Sequence, residues 1–582
     1  MTNRIRSIFA LVVVFAVAIA LRWDIAMHFT HLDDIGVAST IRDIDTLDTS
    51  EHIAARIAHG SKGNQGTTRF LRRLSGVPLA SSLNPVIAFV ARSMGIPRRW
   101  TYAPLQFIAT SPLLAGATNY RQTLLRGRLP SWIAAMLAIW AMFLLARRLW
   151  PDAASDGTTV LAAMLTGVSA EMVVYSKQME NYTLGVLGLA LQVLLLFWIV
   201  DRDRTPSYRS AILAGVALAI ISSAQYQLLV FTPAFFGAWF LARRTRGDVR
   251  VIVAAGVTWG ALVSPIYVLF LRHMSTRGIN WNAGPAKEFA FHPAREPGAV
   301  LMRLATFFPK NIYLTFEAAI SPVVDSHPLY RALGIALALL ALAGAVALVR
   351  SADTRARTFV QFSALVGLIY VAFVLVHRFP LGPTRHTLVL LPIAVICVVA
   401  GAHWLRTFLP ARGNGISLAL AALIGIVALL DMPRVAEARR DPVDEDAIGG
   451  LVAQHGVTAI VEYEWTVNMR LMPSMLAKVA VFEGLPANGT GEWVTKPPVN
   501  LDRVAFFSTR APLTDLAFDS LRKAVNINPV SVQSGLLMPP RSEYATVYTD
   551  VRRSDVEVDI SRRTHNGTNE VYLYILERKP AP

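Results

Sequence analysis

The 582-residue chain has a single cysteine, Cys397, and it lies inside an apolar run. An intrachain disulfide framework and a cysteine-built metal site are therefore excluded. Charged residues are also few, at 16%, where soluble domains carry about 25%. Acids are scarcer than bases, 39 against 56. The resulting net charge of +17 does not point to nucleic acid. The chain shows no basic tail and no nucleic-acid module, and much of the charge sits in short stretches between apolar runs. There it orients a protein in a bilayer. Internal repeats and low-complexity segments are absent too.

What the chain has is apolar residues, at 54%. They gather into runs near the roughly 20 residues that a spanning helix needs. Eleven runs read as spans: 7–23, 130–149, 158–174, 182–200, 209–224, 226–242, 250–271, 329–349, 357–376, 385–405 and 415–431. The first follows Arg4 and Arg6 and offers small residues in AVAIA, as a signal peptide does. It continues through Leu21 and Trp23, however, and ten runs follow it, so it reads as a span. With the N-terminus in the cytoplasm, sixteen arginines fall in the short cytoplasmic stretches, among them Arg4, Arg147, Arg204, Arg243, Arg355 and Arg412. The short loops on the other side hold only Lys177, Arg378 and Arg385. This asymmetry gives an N-in, C-out topology.

Two long loops, 24–129 and 272–328, and everything after residue 431 then lie outside the cytoplasm. Within the first loop, 67–95 mixes arginines with apolar residues, and 101–116 is apolar but interrupted by Pro104 and Pro112. Both read as helices lying at the membrane interface. Residues 1–431 thus form a membrane domain, and 432–582 a separate extracytoplasmic α/β domain. In the latter TAIVEY (458–463), RVAFFST (503–509) and EVYLYILERK (570–579) read as strands, and 513–525 reads as a helix. This domain has neither a glycine-rich phosphate loop nor a metal-ligand cluster.

Four motifs occur in order along the chain. Arg22 at the end of the first span precedes the acid pair Asp33-Asp34, in HLDDIGVAST. GRLPSW (127–132) leads into the second span, SAEMVVYSKQMENYTL (169–184) bridges the third and fourth, and HRFPLGPTRHTLVLLP (377–392) opens a late one. This order resembles the GT-C superfamily of integral-membrane glycosyltransferases, including protein O-mannosyltransferases and lipid A aminoarabinose transferases. Relatives often carry Asp-Glu where this chain has Asp33-Asp34. The resemblance spans about residues 7–431 and implies a helix bundle of the GT-C type. It further implies a polyprenyl-phosphate-linked sugar donor, an inverting transfer and an active site on the periplasmic or exterior face of a bacterial inner membrane.

That chemistry assigns roles to particular residues. An acceptor hydroxyl has to lose its proton as it attacks, which calls for a positioned carboxylate. Asp33 is expected to be that base, with Asp34 orienting it, sharing its proton or joining it in binding a divalent cation. No other ligand set is evident, so no metal or other cofactor is assigned and a divalent cation stays open. The leaving phosphate needs cationic donors. Arg385 leads, with Arg378 and His377 next and Lys177 as a further candidate. Glu180, Tyr182, Gln225 and Tyr226 are candidates for holding substrate, against plain packing or an interfacial tyrosine. Lipid, polysaccharide and protein all remain open as the acceptor. Two other readings compete: an O-antigen ligase or polymerase, whose key arginines and histidine lie in late loops, and a flippase or other transporter. A transporter is expected to bury charge at mid-membrane in matching halves.

Overall fold

Inside lipid a backbone has no partner but itself, so each long apolar run is expected to be helical. The computed structural model describes residues 3–23, 25, 104–114, 116–151, 157–201, 206–243, 246–266, 291, 297–319, 328–376, 378–408, 413–438, 445–463, 472–485, 490–508, 515–554 and 569–580. Within these the chain forms α1 (Asn3–Ala20), α2 (Pro104–Leu114), α3 (Tyr120–Leu149), α4 (Gly157–Val168), α5 (Ala170–Tyr175), α6 (Tyr182–Val200) and α7 (Tyr208–Ser222). There follow α8 (Tyr226–Ala242), α9 (Arg246–Ile266), α10 (Pro297–Ala318), α11 (Pro328–Arg350), α12 (Thr354–Leu375), α13 (Leu391–Phe408) and α14 (Gly413–Ala438).

Each of the eleven expected spans overlaps at least one of these helices. Six of them, in α3, α6, α9, α11, α12 and the segment entering α13, are long and apolar enough to cross a membrane. Five shorter apolar stretches lie in α1, α4, α7, α8 and α14. Among the described residues, length and apolarity therefore support six crossings of the eleven expected.

Three local details differ from the sequence reading. First, α3 begins at Tyr120, ten residues before the expected span, so GRLPSW lies within a helix and Pro130 is inside it. The Asn119 side chain accepts from the backbone N–H of Gln122 and starts this helix early. Second, the run 158–174 is two helices broken at Ser169. Third, Arg385 precedes a short 3-10 turn (Leu388–Leu390) rather than sitting in a span.

Two helices approach each other with no side chain between them. A Cβ on Gly344 in α11 would run into the Cys397 carbonyl of α13, and one on Gly401 into the Leu340 carbonyl. Small residues allow such contact in apolar surroundings, where dispersion rather than water drives association. Gly344→Ala is expected to cost about 1–3 kcal/mol as overpacking, seen as a lower unfolding midpoint in nanodiscs. Leu342→Ala, at a position 64% exposed on the same helix, serves as the control and should barely move it.

Helix direction alternates, so the connecting loops meet at two ends of the bundle. At one end Asp201 accepts from Arg355 Nε at 2.7 Å and from Arg148 Nη1 at 3.2 Å. At the other lie the loops 176–181, 223–225 and 378–390, with α2 and the first turns of α3.

After α14, which continues past residue 431 to Ala438, the chain forms a sheet. Its elements are α15 (Glu445–His455), β1 (Ala459–Tyr463), α16 (Pro473–Leu476), β2 (Ala480–Leu485), β3 (Thr490–Trp493), β4 (Arg503–Ser508), α17 (Asp515–Ile527), α18 (Pro529–Gln533), β5 (Tyr544–Ser554) and β6 (Asn569–Arg578). The strand order is β3-β2-β1-β4-β6-β5, with β2, β1 and β4 parallel and the other pairs antiparallel. Side chains alternate between two buried faces, which explains the continuous apolar runs of β1 and β4. Val461, Phe482, Val504 and Phe506 pack toward Phe518 and Leu521 of α17. On the opposite face Ile460, Val481, Ala505, Phe507 and Ile575 share one core with Leu114, Tyr120, Leu124 and Met179 of the helical part.

Candidate functional site

Between α5 and α6 the chain reads Ser176-Lys177-Gln178-Met179-Glu180-Asn181, a sequence that looks like a solvated loop. It is buried instead: no side chain in it is more than 7% exposed. Burying polar groups costs free energy unless they are bonded, so the anchors of this loop matter. Ser176 Oγ donates to Val173 O at 2.7 Å and accepts from Arg22 Nε at 2.7 Å. Arg22, itself 1% exposed, also donates from Nη1 to Ala18 O and Gly167 O, tying α1, α4 and the loop together.

GRLPSW supplies the other anchors. Its Gly127 leaves the space that the Met179 thioether occupies, since any Cβ there would strike it. Arg128 is fully buried and donates to Ile25 O at 2.8 Å, so it grips the chain leaving α1. Ser131 Oγ donates to Glu180 O at 2.6 Å, and Ser131 O accepts from Thr183 Oγ1 at 2.9 Å.

Held in this way, Glu180 presents its carboxylate to Arg385, with Nη1 to Oε1 at 3.5 Å. The carboxylate side chain is 1% exposed and the arginine side chain 33%, so the cation keeps an open side. The guanidinium also lies over the Tyr182 ring, 5.6 Å from its centroid, a cation–π arrangement. Tyr182 in turn contacts the rings of Tyr175 and His386. Gln225 Nε2 donates to Gln227 Oε1, and Gln227 Nε2 donates to His386 O, both at 2.8 Å. Tyr370 in α12 braces the same loop, donating to Pro380 O and sharing a hydrogen bond with Thr387.

The structure thus brings together Glu180, Tyr182, Gln225 and Arg385 of the expected residues. Lys177 is in the same loop, buried at 2% exposure rather than displayed as a loop cation. Tyr226 is half-buried at the first turn of α8, and Arg378 is exposed. Asp33, Asp34 and His377 lie outside the described residues, as does the segment 67–95. Among the described residues no three His, Cys, Asp or Glu side chains gather as a metal site.

One acid went unassigned in the sequence. Glu171 is 4% exposed, and its Oε1 has no hydrogen-bond partner among the described residues. It sits one helical turn before Tyr175 on α5, hence on the same side as the ring that meets Tyr182. An acid within an apolar run was the available signal, because intramembrane carboxyls are costly and mark function. Oε1 of Gln178 and Oε1 of Gln225 are likewise buried without a hydrogen-bond partner. Several acceptors in one region suit a ligand rich in hydroxyl donors.

Comparison with known proteins bears on this region. Residues 116–268 match the family model of dolichyl-phosphate-mannose-protein mannosyltransferase. The match contains GRLPSW, the buried loop and the Gln225 turn, and it stops before Arg385 and the sheet. Among solved structures the chain is similar to the oligosaccharyltransferase of Archaeoglobus fulgidus in complex with zinc and sulfate, at 11% identity and a TM-score of 0.48. That alignment covers 85% of this chain and 67% of the other. The apo form of the same enzyme aligns at 12% identity and a TM-score of 0.43, covering 80% of this chain and 63% of the other. No curated protein matches. The resemblance to GT-C enzymes in motif order is therefore joined by a family match, which supports a membrane glycosyltransferase.

Proposed function

We propose that the chain transfers a sugar from a polyprenyl-phosphate donor to an envelope acceptor, at the outer face of a bacterial inner membrane and with inversion. The observation that carries this reading is the half-open Arg385, held on buried Glu180 and over Tyr182 at one end of an apolar bundle. Such a cation can meet a lipid-borne phosphate while the lipid tail stays among the helices.

In the proposed step Asp33 takes the proton from the acceptor hydroxyl as its oxygen bonds to the anomeric carbon. The bond from that carbon to the phosphate oxygen breaks, and polyprenyl phosphate leaves with the electron pair. Arg385 stabilises the charge that develops there, aided by Arg378, His377 and Lys177. Asp34 orients Asp33, shares its proton or joins it in binding a divalent cation. Tyr182, Glu180, Gln225 and Tyr226 shape the pocket for the sugar. Orientation follows from the arginine asymmetry, which places the end carrying Arg385 away from the cytoplasm. The acceptor is a lipid, a polysaccharide or a protein.

Mass spectrometry of envelope glycans, from cells lacking the protein and from complemented cells, tests the reading. One sugar mass is expected to vanish and return. Unchanged glycans together with a block in lipid or solute movement would favour a transporter.

A further inference from the structure

Met179 is the centre of the buried loop and is completely buried. Its surroundings do not belong to the helix bundle alone. It sits in the core formed by Leu114, Tyr120 and Leu124 with Ile448, Met475, Val481 and Phe507 of the sheet region. On its other side it fills the notch at Gly127. One residue later, Glu180 holds Arg385.

A second contact fastens the same two parts. Glu445, 7% exposed at the start of α15, accepts from the backbone N–H of Tyr120 with Oε2. With Oε1 it accepts from the backbone N–H of Met475 at 3.1 Å. Tyr120 opens α3, the helix whose Gly127 and Ser131 seat the loop. A buried carboxylate bridging two backbone donors is a directional joint, since moving either donor leaves a charge unsatisfied.

We infer that the C-terminal sheet region is a positioning element of the site: through Met179 and the Glu445 clasp it holds the loop 176–181, and so Glu180 and Arg385, in place. Met179 and Glu445 are positioning residues and touch no substrate. Where the function proposed above holds, the sheet region sets the geometry of phosphate binding. The hold of the sheet region on the loop does not depend on sugar chemistry.

Hydrogen–deuterium exchange of the full chain in lipid nanodiscs tests the inference without any substrate. Met179→Ala and Glu445→Ala are expected to speed exchange in peptides covering 176–182 by about tenfold or more. Peptides from β1 and β4 should keep their wild-type protection. Met179→Leu, which refills the notch between Gly127 and the sheet, should restore slow exchange in the loop. Loop exchange within about twofold of wild type in both alanine variants would overturn the inference. So would an equal loss of protection in β1 and β4, because the loop would then only be following a domain that has unfolded. A wild-type chain that transfers no sugar would end the functional proposal and leave this exchange result standing.

Discussion

Asp33→Asn is expected to lower sugar transfer by about a hundred- to ten-thousandfold, the range typical of a lost general base. Donor binding should stay nearly unchanged, because asparagine keeps the shape and loses only the proton acceptor. The measurement is single-turnover transfer beside binding of the polyprenyl-phosphate donor, with purified protein in nanodiscs. Asp34→Asn is the internal comparison: a smaller drop is expected if Asp34 only orients its neighbour. An active Asp33→Asn enzyme would remove Asp33 as the base and direct attention to buried Glu171. Arg128 donates to Ile25 O, in the last described residue before the acid pair.

The second large effect is expected at Arg385. Arg385→Ala should weaken binding of bare polyprenyl phosphate by roughly ten- to a hundredfold, the worth of a charge-assisted hydrogen bond or two. It should also destabilise the protein, since Glu180 would remain buried without that cation. The arginine is one-third exposed, so solvent screening reduces the pair's own contribution. Glu180→Gln separates the two effects: it leaves the cation available and removes the carboxylate. In the double variant stability should recover by about 1–3 kcal/mol relative to Arg385→Ala, while phosphate binding stays weak. Unchanged affinity in Arg385→Ala would move the phosphate role to Arg378 or Lys177.

Parts of this architecture were open to reading from sequence and parts were not. Apolar runs marked the helices, because lipid allows a spanning backbone no other solution. Strands β1, β4 and β6 were legible as dense apolar stretches. By contrast β2 is broken by Glu483-Gly484, and β5 alternates polar residues, so neither stands out. How the loop 176–181 is anchored was not legible, because composition speaks only of its own residues. Its burial comes from Arg22, Ser131 and the core of Ile448, Val481 and Phe507 around Met179, all far away in sequence. In the same way Glu180 and Arg385 are 205 residues apart, and no local pattern announces their pairing. GRLPSW was recognisable as a motif, yet the separate duties of its glycine, arginine and serine appear only once Met179, Ile25 and Glu180 are beside them.

The core around Met179 also has a meaning in time. It includes Leu573 and Ile575 of β6, and the clasp to Tyr120 comes from a residue 325 positions later. A ribosome releases the buried loop long before it makes the strands that cover it. During synthesis the apolar helices can gather while Leu114, Leu124 and Met179 still lack their partners from the sheet. That core is thus completed only when β6 pairs with β4. Until β6 is made, the apolar helices can gather while the core around Met179 is incomplete, so on the positioning inference the loop 176–181 is fixed after the helices rather than with them.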